Sequence, residues 1–116
     1  MSYDLAVWEG PRPSSDDEAA AEYERLMDQM DEDPDVPPSA PIVSFQNELL
    51  ARWPALGAPG DEASPWSTGP EIGDAVGPIM YITMTYSGAQ EGVPYAAEVA
   101  RMLGLVCYDP QEEVLR

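Results

Sequence analysis

Thirteen prolines in 116 residues decide where regular structure can run in this chain. A proline lacks a backbone N–H and has a fixed φ, so it ends a helix or strand unless it stands in a helix's first turn. The residue before it is also pushed out of the helical region. Pro11 and Pro13 close the first segment, Asp33-Pro34 the second and Pro54 the third, while Pro59, Pro65 and Pro70 crowd into one stretch. The intervals left between them are long enough for short strands and medium helices.

Residues 3–8 alternate, with Leu5 and Val7 on one side and Asp4, Ala6 and Trp8 on the other, which predicts a strand. Ser15 with Glu18 then forms a capping-box pattern, and Asp16 and Asp17 suit the positive end of a helix dipole. Ala19, Tyr23, Leu26, Met27 and Met30 follow at helical spacing up to the stop at Asp33-Pro34. A second helix is predicted from Ser39, with Pro41 in its first turn and a stripe of Ile42, Phe45, Leu49, Leu50 and Trp53. Residues 57–70 read as a loop rich in Pro and Gly, and loops of that length are often functional.

Residues 78–86 are the strongest strand pattern: Met80, Ile82, Met84 and Tyr86 share the expected core face. Residues 71–76 are expected to pair with it across Gly77-Pro78. A third helix is predicted over 92–103, with Pro94 in its first turn, a stripe of Val93, Ala96, Ala97, Ala100 and Leu103, and Gly104 as its C-cap. A strand at 105–108 and a short return strand at 113–115 complete the chain. The order predicts one domain, residues 1–116, of α+β class. It is a two-layer sandwich with the helices on one face of a mainly antiparallel sheet, a ferredoxin-like β-α-β-β-α-β unit with an inserted helix.

Charge narrows function. Twenty-two acidic residues face five basic ones, all arginine, for a net charge of −17, and there is neither lysine nor histidine. That excludes a basic nucleic-acid-binding face, a polybasic membrane tether and histidine-based catalysis or metal binding. With one cysteine no internal disulfide forms, and no run approaches the apolar length of a membrane span. Residues 1–13 carry no signal-peptide pattern, so a cytoplasmic protein is expected, with export without a cleaved signal as the alternative.

The chemistry-bearing motifs give little. Cys107 lies between Val106 and Tyr108 in an apolar strand with no histidine to activate it, as a structural thiol would. Asp31, Asp33 and Asp35 form a D-x-D-x-D string, but a calcium loop needs glycine at its sixth position and glutamate at its twelfth, where this chain has Val36 and Ile42. No phosphate-binding glycine loop is present. No metal and no cofactor are expected. An enzyme reading would rest on a pocket built from Trp66, Tyr86 and a carboxylate.

The acidic surface is the one strong feature. Residues 1–38 hold twelve acidic and two basic residues, ten of the seventeen net negative charges. Asp17, Glu24, Asp28 and Glu32 fall opposite the apolar stripe of the first helix, and Asp31, Asp33 and Asp35 extend the acidity beyond it. The pairs Glu24/Asp28 and Asp28/Glu32 repel each other at i,i+4 spacing, so the chain accepts a local cost to keep this surface negative. A basic protein partner explains that, since acidic surfaces steer association. Nucleic-acid mimicry and plain solubility or salt tolerance are the alternatives. Trp66, in the Pro/Gly-rich loop, is either a plug folded onto the core or an interface anchor.

Three stretches, YDLAVWEG (Tyr3 to Gly10), SPWSTGP (Ser64 to Pro70) and GLVCYDPQ (Gly104 to Gln111), resemble small acidic proteins of high-GC, actinobacterial-type soil bacteria. The size and acidity are similar in type to those of bacterial immunity proteins that neutralise toxins. The resulting expectation is a non-enzymatic binding protein that occludes a basic partner, a toxin being the leading case. Its partner-binding residues are Asp17, Glu24, Asp28, Asp31, Glu32, Asp33, Asp35 and Trp66. The alternative is a small ligand-binding or structural domain whose acidity is incidental.

Overall fold

The structure, a computed structural model, describes residues 2–116. In chain order it has β1 (Tyr3–Trp8), α1 (Asp16–Glu32), α2 (Ala40–Arg52), a single 3-10 turn (Asp61–Ala63), β2 (Gly73–Val76), β3 (Ile79–Met84), α3 (Tyr86–Met102), β4 (Val106–Asp109) and β5 (Val114–Leu115). The strands form one sheet in the order β2-β3-β1-β4-β5, antiparallel at every step. β1 is central: Val7 stands opposite Met80 on one side and Cys107 on the other. β3 lies between β1 and β2, so the chain makes the split β-α-β crossover expected of a β-α-β-β-α-β unit.

The α+β class and antiparallel sheet are as the sequence predicts, but the helices do not all share one face. Leu5, Val7, Met80, Ile82, Met84 and Cys107 pack with Ile42, Phe45 and Leu49 of α2 and Val93, Ala96 and Ala100 of α3. The alternate residues Ala6, Trp8, Ile79, Val106 and Tyr108 pack with Ala19, Leu26 and Met30 of α1. The result is three layers, with α1 as the inserted helix on the far side of the sheet. The reason lies in β1, whose Ala6 and Trp8 are as fully buried as Leu5 and Val7. A strand apolar on both faces needs a cover on each. Tyr23 completes the α1 contact, its ring 5.3 Å from that of Tyr108.

Both early helices start at the predicted residues, though only Ser15 makes a side-chain cap bond and Ser39 makes none. The Ser15 hydroxyl accepts the Glu18 N–H at 3.1 Å. Glu18 reaches back one residue further than a capping box requires, accepting the Ser14 N–H at 3.1 Å and its hydroxyl at 2.7 Å. Those bonds hold the Glu18 carboxyl below its usual range. α2 begins after Ser39 and ends at Trp53, whose N–H donates to the Leu49 carbonyl.

α3 is the larger correction. It starts at Tyr86, not at residue 92, because Thr85 caps it by accepting the Gly88 N–H at 2.9 Å. Pro94 therefore lies inside the helix, where it leaves the Gln90 carbonyl without its N–H donor. Gly88 and Gly92, each unfavourable inside a helix on backbone entropy, serve close packing: a Cβ at Gly88 would stand 2.6 Å from Pro65 Cα, and one at Gly92 2.6 Å from the Met84 sulfur. Tyr86, expected on the core face of β3, is instead an exposed residue of this helix, and Leu103 is half-exposed beyond its end. Gly104, at φ +73°, terminates it as predicted.

Candidate functional site

The apolar stripe of α1 faces the sheet, so the remaining face is left to solvent. Asp17, Glu24, Asp28, Asp31 and Glu32 are all exposed there, and Asp33 and Asp35 are exposed in the turn that follows. None of the seven takes part in an ion pair among the described residues; those pairs are Arg25–Glu22, Arg101–Glu98, and Arg116 with Asp109 and Glu112. The carboxylates do not gather into any group of three that could hold a metal ion among the described residues, the Asp31-Asp33-Asp35 string included.

The acidic turn has a fixed position. The Asp33 N–H donates to the Gln29 carbonyl, closing the helix. The Gly77 N–H then donates to Val36 at 3.3 Å, and the Ser39 N–H to Gly77 at 2.9 Å, tying the turn to the tip of the β2–β3 hairpin. Gly77 has a φ of +55° there, a conformation other residues rarely adopt. Beside this junction lies a cavity of about 260 Å³ whose apolar lining comes from Leu26, Met30, Val36, Val76 and Pro78. The face thus combines unpaired carboxylates with one apolar recess at its end.

With so few cations to neutralise it, self-repulsion opposes folding. Added salt screens such repulsion beyond about 8–10 Å at physiological strength. The melting temperature is therefore expected to rise from low to moderate sodium chloride, and a flat or falling trend in calorimetry would contradict a repulsion-limited fold.

Trp66 does not belong to this surface. It is 1% exposed and sits in the α2–α3 core, its ring edge-on to Trp53 at 6.1 Å. Its indole N–H donates to the carbonyls of Trp53 at 3.3 Å and Pro54 at 3.1 Å. The loop carrying it is stitched to the end of β3, with the Ser67 N–H donating to Thr83 and the Thr85 N–H to Pro65. Of the two roles open to Trp66, the geometry gives it that of a plug, and its expected place among the partner-binding residues is withdrawn: a side chain already enclosed has no surface to offer. The constellation of Trp66, Tyr86 and a carboxylate is likewise not assembled. Tyr86 packs edge-on against Tyr3 at 6.1 Å and borders a separate cavity lined by neither Trp66 nor any acidic residue.

A second polar cluster has no counterpart among the sequence expectations. Asp109, at the end of β4, is fully buried. Its carboxylate accepts from the Tyr3 hydroxyl, from Arg116 Nε at 3.1 Å and its terminal nitrogen at 2.7 Å, and from the backbone N–H groups of Gln111 and Glu112. Burial alone raises such a carboxyl, but these hydrogen bonds and the Arg116 charge outweigh it, so Asp109 stays below its ordinary range. The only local signal was an Asp-Pro turn after an apolar strand; Tyr3 lies 106 residues away along the chain. Nearby, burial pushes the Cys107 thiol up to about 12, which leaves it protonated and unreactive at neutral pH.

No protein-family model, no curated protein and no solved structure matches this chain. No helix of the described residues is long and apolar enough to cross a membrane.

Proposed function

We propose that this chain is a non-enzymatic binding protein of immunity or antitoxin type, acting in the cytoplasm, that occludes a basic protein partner with the outer face of α1 and the turn after it. The observation that carries this reading is the set of seven exposed carboxylates, Asp17, Glu24, Asp28, Asp31, Glu32, Asp33 and Asp35, none neutralised by an arginine. A field of one sign over a rigid helix speeds encounter with an oppositely charged surface and rejects like-charged ones, nucleic acid among them. The recess at Leu26, Met30 and Val76 supports the reading, because an apolar side chain of the partner seated there would slow release where the charges alone would not.

The test begins with a pull-down from the native cell at low and moderate salt, followed by kinetics on the partner it yields. Reversal of Glu24, Asp28 and Glu32 to lysine should leave the fold intact, since all three side chains are exposed. The on-rate should fall roughly tenfold at low salt, with a shallower salt dependence and a smaller change in off-rate. A partner whose on-rate is unaffected by the triple reversal would show that the acidic face is only a solvated surface.

A further inference from the structure

Three of the chain's five arginines border one groove. It has a volume of about 620 Å³ and lies where β1 leaves the sheet and α3 turns into β4. Arg12, Arg101 and Arg116 rim it together with one carboxylate, Glu98, and Pro94, Ala97, Leu105 and Val106 supply apolar lining between them. On a surface of net charge −17 this grouping of cations is the local exception.

The three arginines differ in what they have to offer. Arg116 is committed: two of its nitrogens donate to buried Asp109, so it forms a fixed wall. Arg101 pairs with Glu98 one turn back on α3, where both side chains are exposed. Such a pair rearranges at little cost. Arg12 pairs with no aspartate or glutamate side chain among the described residues; its hydrogen bond is to the main-chain oxygen of Arg116 at 3.3 Å. Arg52 also lacks an ion pair among the described residues, but its guanidinium lies 4.5 Å from the centre of the Trp53 ring. In a chain with 22 aspartates and glutamates, Arg12 therefore stands out as a groove cation that none of their side chains pairs with among the described residues.

We infer that this groove binds a small organic anion, a carboxylate on an apolar body, with Arg12 and Arg101 holding the charged group and Pro94, Ala97, Leu105 and Val106 enclosing the apolar part. The size of the groove falls within the range of small-molecule sites. The class of ligand follows from the two length scales of charge. A large polyanion such as nucleic acid or an acidic protein meets the repulsion of the whole chain. A small anion within the groove feels chiefly the three guanidiniums of the rim, opposed in the lining by Glu98 alone, because at physiological salt the distant carboxylates lie beyond a screening length of about 8 Å. A bare inorganic anion would make no use of the apolar lining.

Octanoate titrated into isotope-labelled protein, with 1-octanol and inorganic phosphate in parallel, tests this by amide chemical shifts. Octanoate is expected to give saturable shifts centred on Gly10, Arg12 and Gly104 to Val106, with both controls at least roughly tenfold weaker. Arg12→Gln and Arg101→Gln, both on exposed side chains, should each weaken octanoate by roughly fivefold without lowering the melting temperature. Glu98→Gln, which releases Arg101, should tighten it by roughly threefold. Octanol binding as well as octanoate would make the groove a plain apolar crevice, and phosphate binding as well would remove any part for the lining. Either result, shifts centred elsewhere, no shifts at millimolar octanoate, or affinity unchanged in the arginine variants overturns the inference.

Discussion

Replacing Trp66 by alanine is expected to destabilise the fold by about 4 kcal/mol and to lower the melting temperature by on the order of 15 °C. The indole is among the largest fully buried side chains of the molecule and meets Trp53 in an edge-to-face contact. Its removal opens a cavity between α2, α3 and β3 that the surroundings can fill only in part. The backbone bonds of Ser67 and Thr85 to the loop and sheet hold the chain where the ring was, which limits collapse. Trp66→Phe separates packing from polarity. It keeps an aromatic ring but leaves the Trp53 and Pro54 carbonyls without the indole donor, so a smaller loss of about 1–2 kcal/mol is expected. Urea denaturation measures both. An alanine variant as stable as the parent would show that the loop does not close the core.

The second large effect is at Asp109. Asp109→Ala should cost about 3 kcal/mol, because it strips the partners from Arg116 and Tyr3 together and removes the acceptor of two backbone N–H groups in the turn to β5. Asp109→Asn keeps the shape and one acceptor oxygen but turns the other into an N–H donor facing donors, so it removes the charge and part of the hydrogen bonding together. The folded-state carboxyl titrates below its ordinary value, so its contribution is fully present above the unfolded value of about 3.9 and is lost as pH falls through the lower folded one. The stability gap between parent and Asn variant is therefore expected to be constant at neutral pH and to narrow only in acid below about pH 4. Comparing the two proteins cancels the relief of repulsion that protonating the other carboxylates brings. A gap that persists unchanged into strong acid would mean that the Asp109 charge contributes nothing.

The candidate surface and these two buried features were unequally legible in the amino-acid order. The acidic face of α1 could be read directly, since a carboxylate placed opposite an apolar stripe has nowhere to go but solvent. The role of Trp66 could not, because a tryptophan between Pro65 and Ser67 has no periodicity to place it inside or outside. The Asp109 cluster joins Tyr3, Asp109 and Arg116 from opposite ends of the chain, and the neighbouring groove brings Arg12 and Arg101 to the same side. Sequence spacing carries no trace of either.

Local chemistry alone determined where α1 and α2 begin and end, where the strands lie to within a residue or two, and that Met80, Ile82 and Met84 share a buried face of β3. Caps, proline stops and the periods of 2 and 3.6 act within a few residues, so they are visible in one stretch of sequence. The structure decided what depends on partners far along the chain. It set α1 against the Ala6–Trp8 face of β1 rather than beside α2 and α3, and it carried α3 back through Gly88 and Gly92 to Thr85 because those glycines fit against Pro65 and Met84. A glycine reads as a break when only its own backbone is considered. It becomes a helical residue when the dense packing that close approach permits outweighs the backbone entropy it gives up, and that packing exists only once the loop has folded onto the sheet.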